Sequence, residues 1–182
     1  MIFGLWKSRK DEARVHAIYA AIVAQARQPV FYSSLGVPDT MAGRYDMLVL
    51  HAFLYMHRLK DASEEAKGIA QKVFDLMFSD MDRNLREIGI GDLSVPKKIK
   101  KMAQVFYGRA KAYDAALDEG ATALAEAVQR NVYGGEGERA HARAVATYMK
   151  AAVKALKGQS EEALTKKGPQ YPMPALPKRR SR

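Results

Sequence analysis

Apolar residues recur at three- and four-residue intervals through most of this chain, while β-branched runs and alternating patterns are scarce. Such a period stacks apolar side chains on one helix face and commits the chain to an all-α fold, a single compact multi-helix domain. Val15, Ile18, Tyr19, Ile22 and Val23 keep the period within residues 11–28, which Pro29 ends. Residues 30–43, with Gly36 and Pro38, are expected as a loop. Residues 44–60 are apolar nearly all round, the pattern of a central buried helix. A long helix over 63–88 is entered through Asp61 or Ser63, carries Phe74, Met77, Phe78, Met81 and Leu85 as its core stripe, and stops at Gly89 and Gly91. Ser94 is placed to cap the next helix, with Pro96 in its first turn. Further helices are expected near 112–132, 138–157 and Glu161, with Gly134-Gly135-Glu136-Gly137 as a hinge. Residues 1–10 form an apolar and basic start, 11–165 the helical domain, and 166–182 a Pro-rich, basic tail expected to be disordered.

The length of 182 residues suits one domain with a real hydrophobic core. The absence of cysteine excludes disulfides, thiolate metal sites and a cysteine nucleophile. Lys and Arg outnumber Asp and Glu by 30 to 20, which favours an anionic partner such as RNA, a ribosome surface or anionic lipid. The excess is local, because neither residues 93–113 nor residues 166–182 contain an acid. No secretory pattern opens the chain, and its longest apolar stretch, 47–59, is too short to span a bilayer. A cytoplasmic location, peripheral on the inner face of the cytoplasmic membrane, is therefore expected. Phe3, Leu5 and Trp6, followed by Lys7, Arg9 and Lys10, make a candidate membrane-contact segment.

Residues 78–109, FSDMDRNLREIGIGDLSVPKKIKKMAQVFYGR, suggest chemistry in three places. Asp80 and Asp82 lie roughly 200° apart on a helix, so they cannot share a metal ion. Asp82 instead suits an ion pair with Arg86, four residues on. The four histidines show no ligand spacing. Gly89-Ile90-Gly91 follows a helix rather than a strand, so it reads as a helix stop and not as a phosphate loop. Lys97, Lys98, Lys100, Lys101, Arg109 and Lys111 occupy one half of the following helix, opposite Ile99, Met102, Phe106 and Tyr113. Gly108 sits within that basic face. Solvated faces usually mix signs, so an acid-free face reads as a partner surface. Arg139, Arg143, Lys150, Lys154 and Lys157 repeat the pattern on the last long helix. No catalytic residue, cofactor or metal is expected from these parts.

Three blocks then resemble a known family. VPDTMAGRYDMLVLHAFL, FDLMFSDMDRNLREIGIGDLSVPKKIKKM and FYGR are similar to the ubiquinol–cytochrome c chaperone family. The resemblance implies an α-helical, non-enzymatic assembly chaperone. Its client would be newly made cytochrome b, met near the ribosome exit region and the membrane surface. It would promote biogenesis of complex III, in mitochondria with a small partner protein. With no organellar extension, the chain resembles a bacterial member. Asp80, Asp82, Arg83, Arg86, Gly89, Gly91 and Asp92 are then the family-defining partner surface. That surface is expected to continue through Lys97, Lys98, Lys100 and Lys101 to Tyr107, Gly108 and Arg109. Arg44, Tyr45 and Asp46 are expected to brace the central helix. An RNA- or ribosome-binding protein using the same basic faces is the alternative.

Overall fold

The computed structural model describes the backbone of residues 2–176 and the side chains of residues 11–176. Helices are the only regular elements among the described residues: α1 (Ile2–Ala26), α2 (Pro29–Ser33), α3 (Met41–Leu59), α4 (Glu64–Glu87), α5 (Val95–Glu119), α6 (Ala121–Val132), α7 (Arg139–Lys157) and α8 (Glu161–Lys166). The centre is α3, which packs on α1, α4, α5, α6 and α7. Met47, Val49, Leu50, Leu54 and Tyr55 are fully buried around its circumference, as a helix apolar on all sides requires. Each large aliphatic side chain so buried contributes roughly 1.5–3 kcal/mol relative to exposure.

The start of α3 is fixed twice. The Thr40 hydroxyl accepts the Gly43 N–H at 3.1 Å, satisfying one orphan donor of the first turn. The Pro38 carbonyl oxygen lies 2.0 Å from where a Cβ on Gly43 would stand, so only glycine fits there. Ser63 and Ser160 cap α4 and α8 in the same way, accepting from Ala66 and Ala163.

Several boundaries differ from those read in the sequence, beginning with α1, which opens at Ile2 rather than near residue 11. The helix after Pro96 does not end near residue 112 but runs to Glu119, and the break falls at Gly120, whose φ of 119° a side chain would resist. Ser94 makes no side-chain cap, because it already has helical backbone angles. Within the expected loop after Pro29, α2 forms one short turn that buries Phe31.

The C-terminal stretch, expected to be disordered from residue 166, is packed well past that point. Residues 168–174 are irregular, as Pro169, Pro172 and Pro174 demand, yet they lie as a strap against the body. Gly168 is closely packed on α1, where an added Cβ would stand 3.3 Å from the Ile18 Cα. The Gln25 side chain donates to the Pro172 carbonyl at 3.2 Å, and Tyr171 donates to the His51 carbonyl at 2.8 Å. Gln159 clasps Gln170 through both its amide atoms, at 2.7 and 3.0 Å. Residues 177–182 lie outside the described residues.

Under this strap sits the main buried polar group of the core. His51 Nδ1 faces the Met47 carbonyl at 2.7 Å and therefore carries the proton. Nε2 then accepts from the Tyr148 hydroxyl at 2.8 Å, and Tyr148 accepts from Gln25 at 3.1 Å. Full burial holds the imidazole neutral, pushing its pKa down to about 4.

Candidate partner-binding surface

The distal halves of α4 and α5 form an arm that leaves the core. No residue between Met77 and Val95, and none between Val95 and Phe106, is fully buried. At the base of the arm, Phe74 packs against Phe78, Phe106 and Tyr107, with ring centroids 4.7, 5.2 and 5.6 Å away. Such aromatic contacts add about 0.5–1.5 kcal/mol each beyond burial.

Charged residues of the expected surface tie the arm to the body or close its turn. Asp80 accepts from Tyr19 of α1 at 2.9 Å and pairs with Arg83 on its own helix. Burial and the neighbouring carboxylate push the Tyr19 phenol up, so it stays a donor. Arg86 grips Asp82 at 2.6 Å and also reaches Asp92 across the turn. Its hydrogen bond holds the Asp82 carboxyl below the usual carboxylate range.

The turn between the two helices is a defined structure. Gly89, with φ of 87°, donates to the Arg86 carbonyl at 2.9 Å, and Ile90 donates to the Leu85 carbonyl at 3.0 Å. That pair of bonds is the Schellman closure of a helix end, and it explains Gly89 as a backbone requirement. Gly91 has open space around it, and its carbonyl accepts from Ser94 at 2.8 Å.

The turn holds two large apolar side chains in solvent. Leu93 is 97% exposed and Ile88 56%. Neither belonged to the surface read from sequence. The signal was present in Leu93, a leucine in a glycine-bounded turn with no periodic partner. Immediately after it, Lys97, Lys98, Lys100 and Lys101 are all exposed. None of the four has a carboxylate within 4 Å among the described residues. Tyr107 and Gly108 are also exposed farther along the same helix.

Two expected roles are corrected. Arg109 is not part of the free basic face; it is half-buried and ion-paired with Asp46 of α3. Burial raises the Asp46 carboxyl, an effect Arg109 offsets in part. Arg44 does not brace the central helix but lies exposed, paired with Asp39 at 2.7 Å in the preceding loop. Tyr45 and Asp46 make the joint instead, Tyr45 by donating to the Met102 carbonyl at 2.8 Å. The side chains of Phe3, Leu5 and Trp6 lie outside the described residues. Among the described residues, no three His, Asp or Glu side chains cluster as a metal site, and no helix is long and apolar enough to cross a membrane.

Comparison with known proteins gives a consistent picture. A family model described as ubiquinol-cytochrome C chaperone matches residues 33–171. Ubiquinol-cytochrome-c reductase complex assembly factor 1 of Xenopus laevis is 22% identical over 130 residues, covering 71% of this chain and 64% of that protein. The Mus musculus protein of the same name is 21% identical over 131 residues, covering 72% of this chain and 43% of its own length. The chain thus spans between about two-fifths and two-thirds of these relatives. The crystal structure of the Cbp3 homolog from Brucella abortus superposes with a TM-score of 0.85 at 44% identity, covering 95% of this chain and 97% of that one.

Proposed function

The chain belongs to the ubiquinol–cytochrome c chaperone family, and from that membership we propose that it is a non-enzymatic assembly chaperone that binds newly made cytochrome b and promotes complex III biogenesis. The supporting observation is the α4–α5 arm, which lies wholly within the matched span and ends in a braced turn carrying Leu93 and Ile88 in solvent. A nascent membrane protein offers apolar helices at a lipid boundary, and the arm offers matching chemistry. Its apolar tip suits the client or the acyl boundary, and its lysines suit the anionic headgroups beside it. The protein then works as a peripheral protein at the inner face of the cytoplasmic membrane.

A second reading rests on Tyr107, which is 61% exposed on the helix that carries the lysines. Lysines with an exposed aromatic ring also suit RNA phosphates and a stacked base, so an RNA or ribosome contact has its own support. The first reading accounts better for Leu93, to which RNA offers nothing.

Deleting the gene should remove most spectroscopic cytochrome b and assembled complex III while leaving other respiratory complexes intact. Normal cytochrome b spectra in the deletion strain would sink the assembly role. Recovery of ribosomal RNA alone with the tagged protein, with no cytochrome b, would move the assignment to the RNA reading.

A further inference from the structure

A groove of about 500 Å³ runs along the outer side of the α6–α7 pair, on the other long basic stripe of the molecule. Its lining includes Ala125 of α6 and Ala142 and Ala146 of α7, the last two buried. Arg130 of α6 and Arg139, Arg143 and Lys150 of α7 also line it, against a single acid, Glu126. None of these four cations has a carboxylate within 4 Å among the described residues. Positions 139, 143 and 150 recur at helical spacing, so their charges line one edge over roughly 16 Å of helix.

Two features separate this groove from an ordinary solvated face. A solvated face normally intersperses signs, and neighbouring cations without partners repel one another. The floor between the two basic edges is also apolar, made by Ala125, Ala142 and Ala146.

We propose that the α6–α7 groove is a docking site for an acidic amphipathic helix of a partner protein. The alanine floor presents only methyl groups, so a third helix can approach to the short end of the usual 8–10 Å interaxial range. Acidic residues flanking the apolar face of that helix would meet Arg130 on one side and Arg139, Arg143 and Lys150 on the other. Two other occupants fit less well. Single-stranded nucleic acid would want aromatic platforms, and no aromatic residue lines the groove. A bilayer would want large apolar or aromatic side chains to insert, and the lining has none.

The groove lies on different helices from the α4–α5 arm, so its failure and the failure of the assembly reading are separate outcomes. The probe is an 18-residue helical peptide with an Ala/Leu face flanked by glutamates, compared with the same peptide carrying lysines, by fluorescence anisotropy on the full chain. The glutamate peptide should bind in the micromolar range and the lysine peptide should not. The double variant R139E/R143E should weaken binding at least tenfold. Ala125→Trp, which fills the groove without changing charge, should do the same. Charge reversal of Lys97, Lys98, Lys100 and Lys101 should leave it unchanged. No binding of the glutamate peptide, or equal binding to Ala125→Trp in a protein of unchanged circular dichroism, would overturn the proposal. In cells, a photo-crosslinker at Ala125 should capture a protein segment that maps to an acidic helix; capture of RNA, lipid or a basic segment would also overturn it.

Discussion

His51 is a buried base held neutral by geometry, and that has a consequence for stability in mild acid. In the fold its Nδ1 proton is committed to Met47 and its Nε2 lone pair to Tyr148, so an added proton has no acceptor. The folded chain takes up that proton only near pH 4, whereas the unfolded chain takes it up near the ordinary histidine value of 6.5. Between those values the unfolded state binds more protons, so stability falls as pH falls. The expected loss between pH 7 and pH 5 is about 2 kcal/mol, read by urea unfolding at the two values. The carboxylates held low by their partners, among them Asp11 and Asp82, stay ionised across that window and do not contribute to the slope. His51→Gln should be less stable at pH 7 and nearly flat from pH 7 to 5. An unchanged slope in that variant would assign the pH response to other groups.

At the scale of the element, the α4–α5 arm separates folding from contact. Its turn is closed by the Gly89 bonds and the Arg86 bridge between Asp82 and Asp92, and its base by the phenylalanines, so the lysines hold nothing together. Changing exposed charges usually moves stability by under about 0.5 kcal/mol each. The quadruple variant K97E/K98E/K100E/K101E should therefore melt near the wild-type temperature. Each basic residue at an anionic membrane surface is worth about 1 kcal/mol, so association with phosphatidylglycerol vesicles should drop by several hundredfold or more. Retained vesicle and client binding by the folded variant would reduce the lysines to a solvated face. Much of this arm was legible in the sequence, because its determinants are local. The core stripe follows helical spacing, Asp82 and Arg86 are four apart, and a glycine marks the turn. The contacts that anchor the arm were not legible. Tyr19 and Asp80 stand 61 residues apart, and Asp46 and Arg109 stand 63 apart, and nothing local announces either. Arg109 did carry a clue. It lies three residues after Phe106 and four before Tyr113, both buried, which puts it on the seam of the helix rather than in the middle of its basic face.

Across the whole molecule, the last described residues matter more than their composition suggests. Prolines and glycines without periodicity look like an unstructured tail, and the strap shows why that inference fails. Its hold comes from Gln25 of α1 and Gln159 of the α7–α8 link reaching its carbonyls, and from Tyr171 laid edge-on against His51 with ring centroids 5.2 Å apart. The strap closes the side of the core where α1, α3 and α7 share the Gln25–Tyr148–His51 chain. Removing residues 168–182 should strip the cover from His51 as well as the bonds to Gln25 and Gln159. Losing a few such contacts costs on the order of 2–4 kcal/mol, which for a chain of this length lowers the melting temperature by roughly 5–15 °C. Tyr171→Phe, which keeps the ring and removes one hydrogen bond, should cost only about 1 kcal/mol. The truncated chain should differ in a second way. With water admitted beside His51, the desolvation that depresses its pKa weakens, and the slope of stability between pH 7 and pH 5 should shrink. A truncated chain with lower stability but an undiminished slope would mean that the strap holds the helices without sealing the histidine. Melting unchanged from the full chain would mean that it does neither.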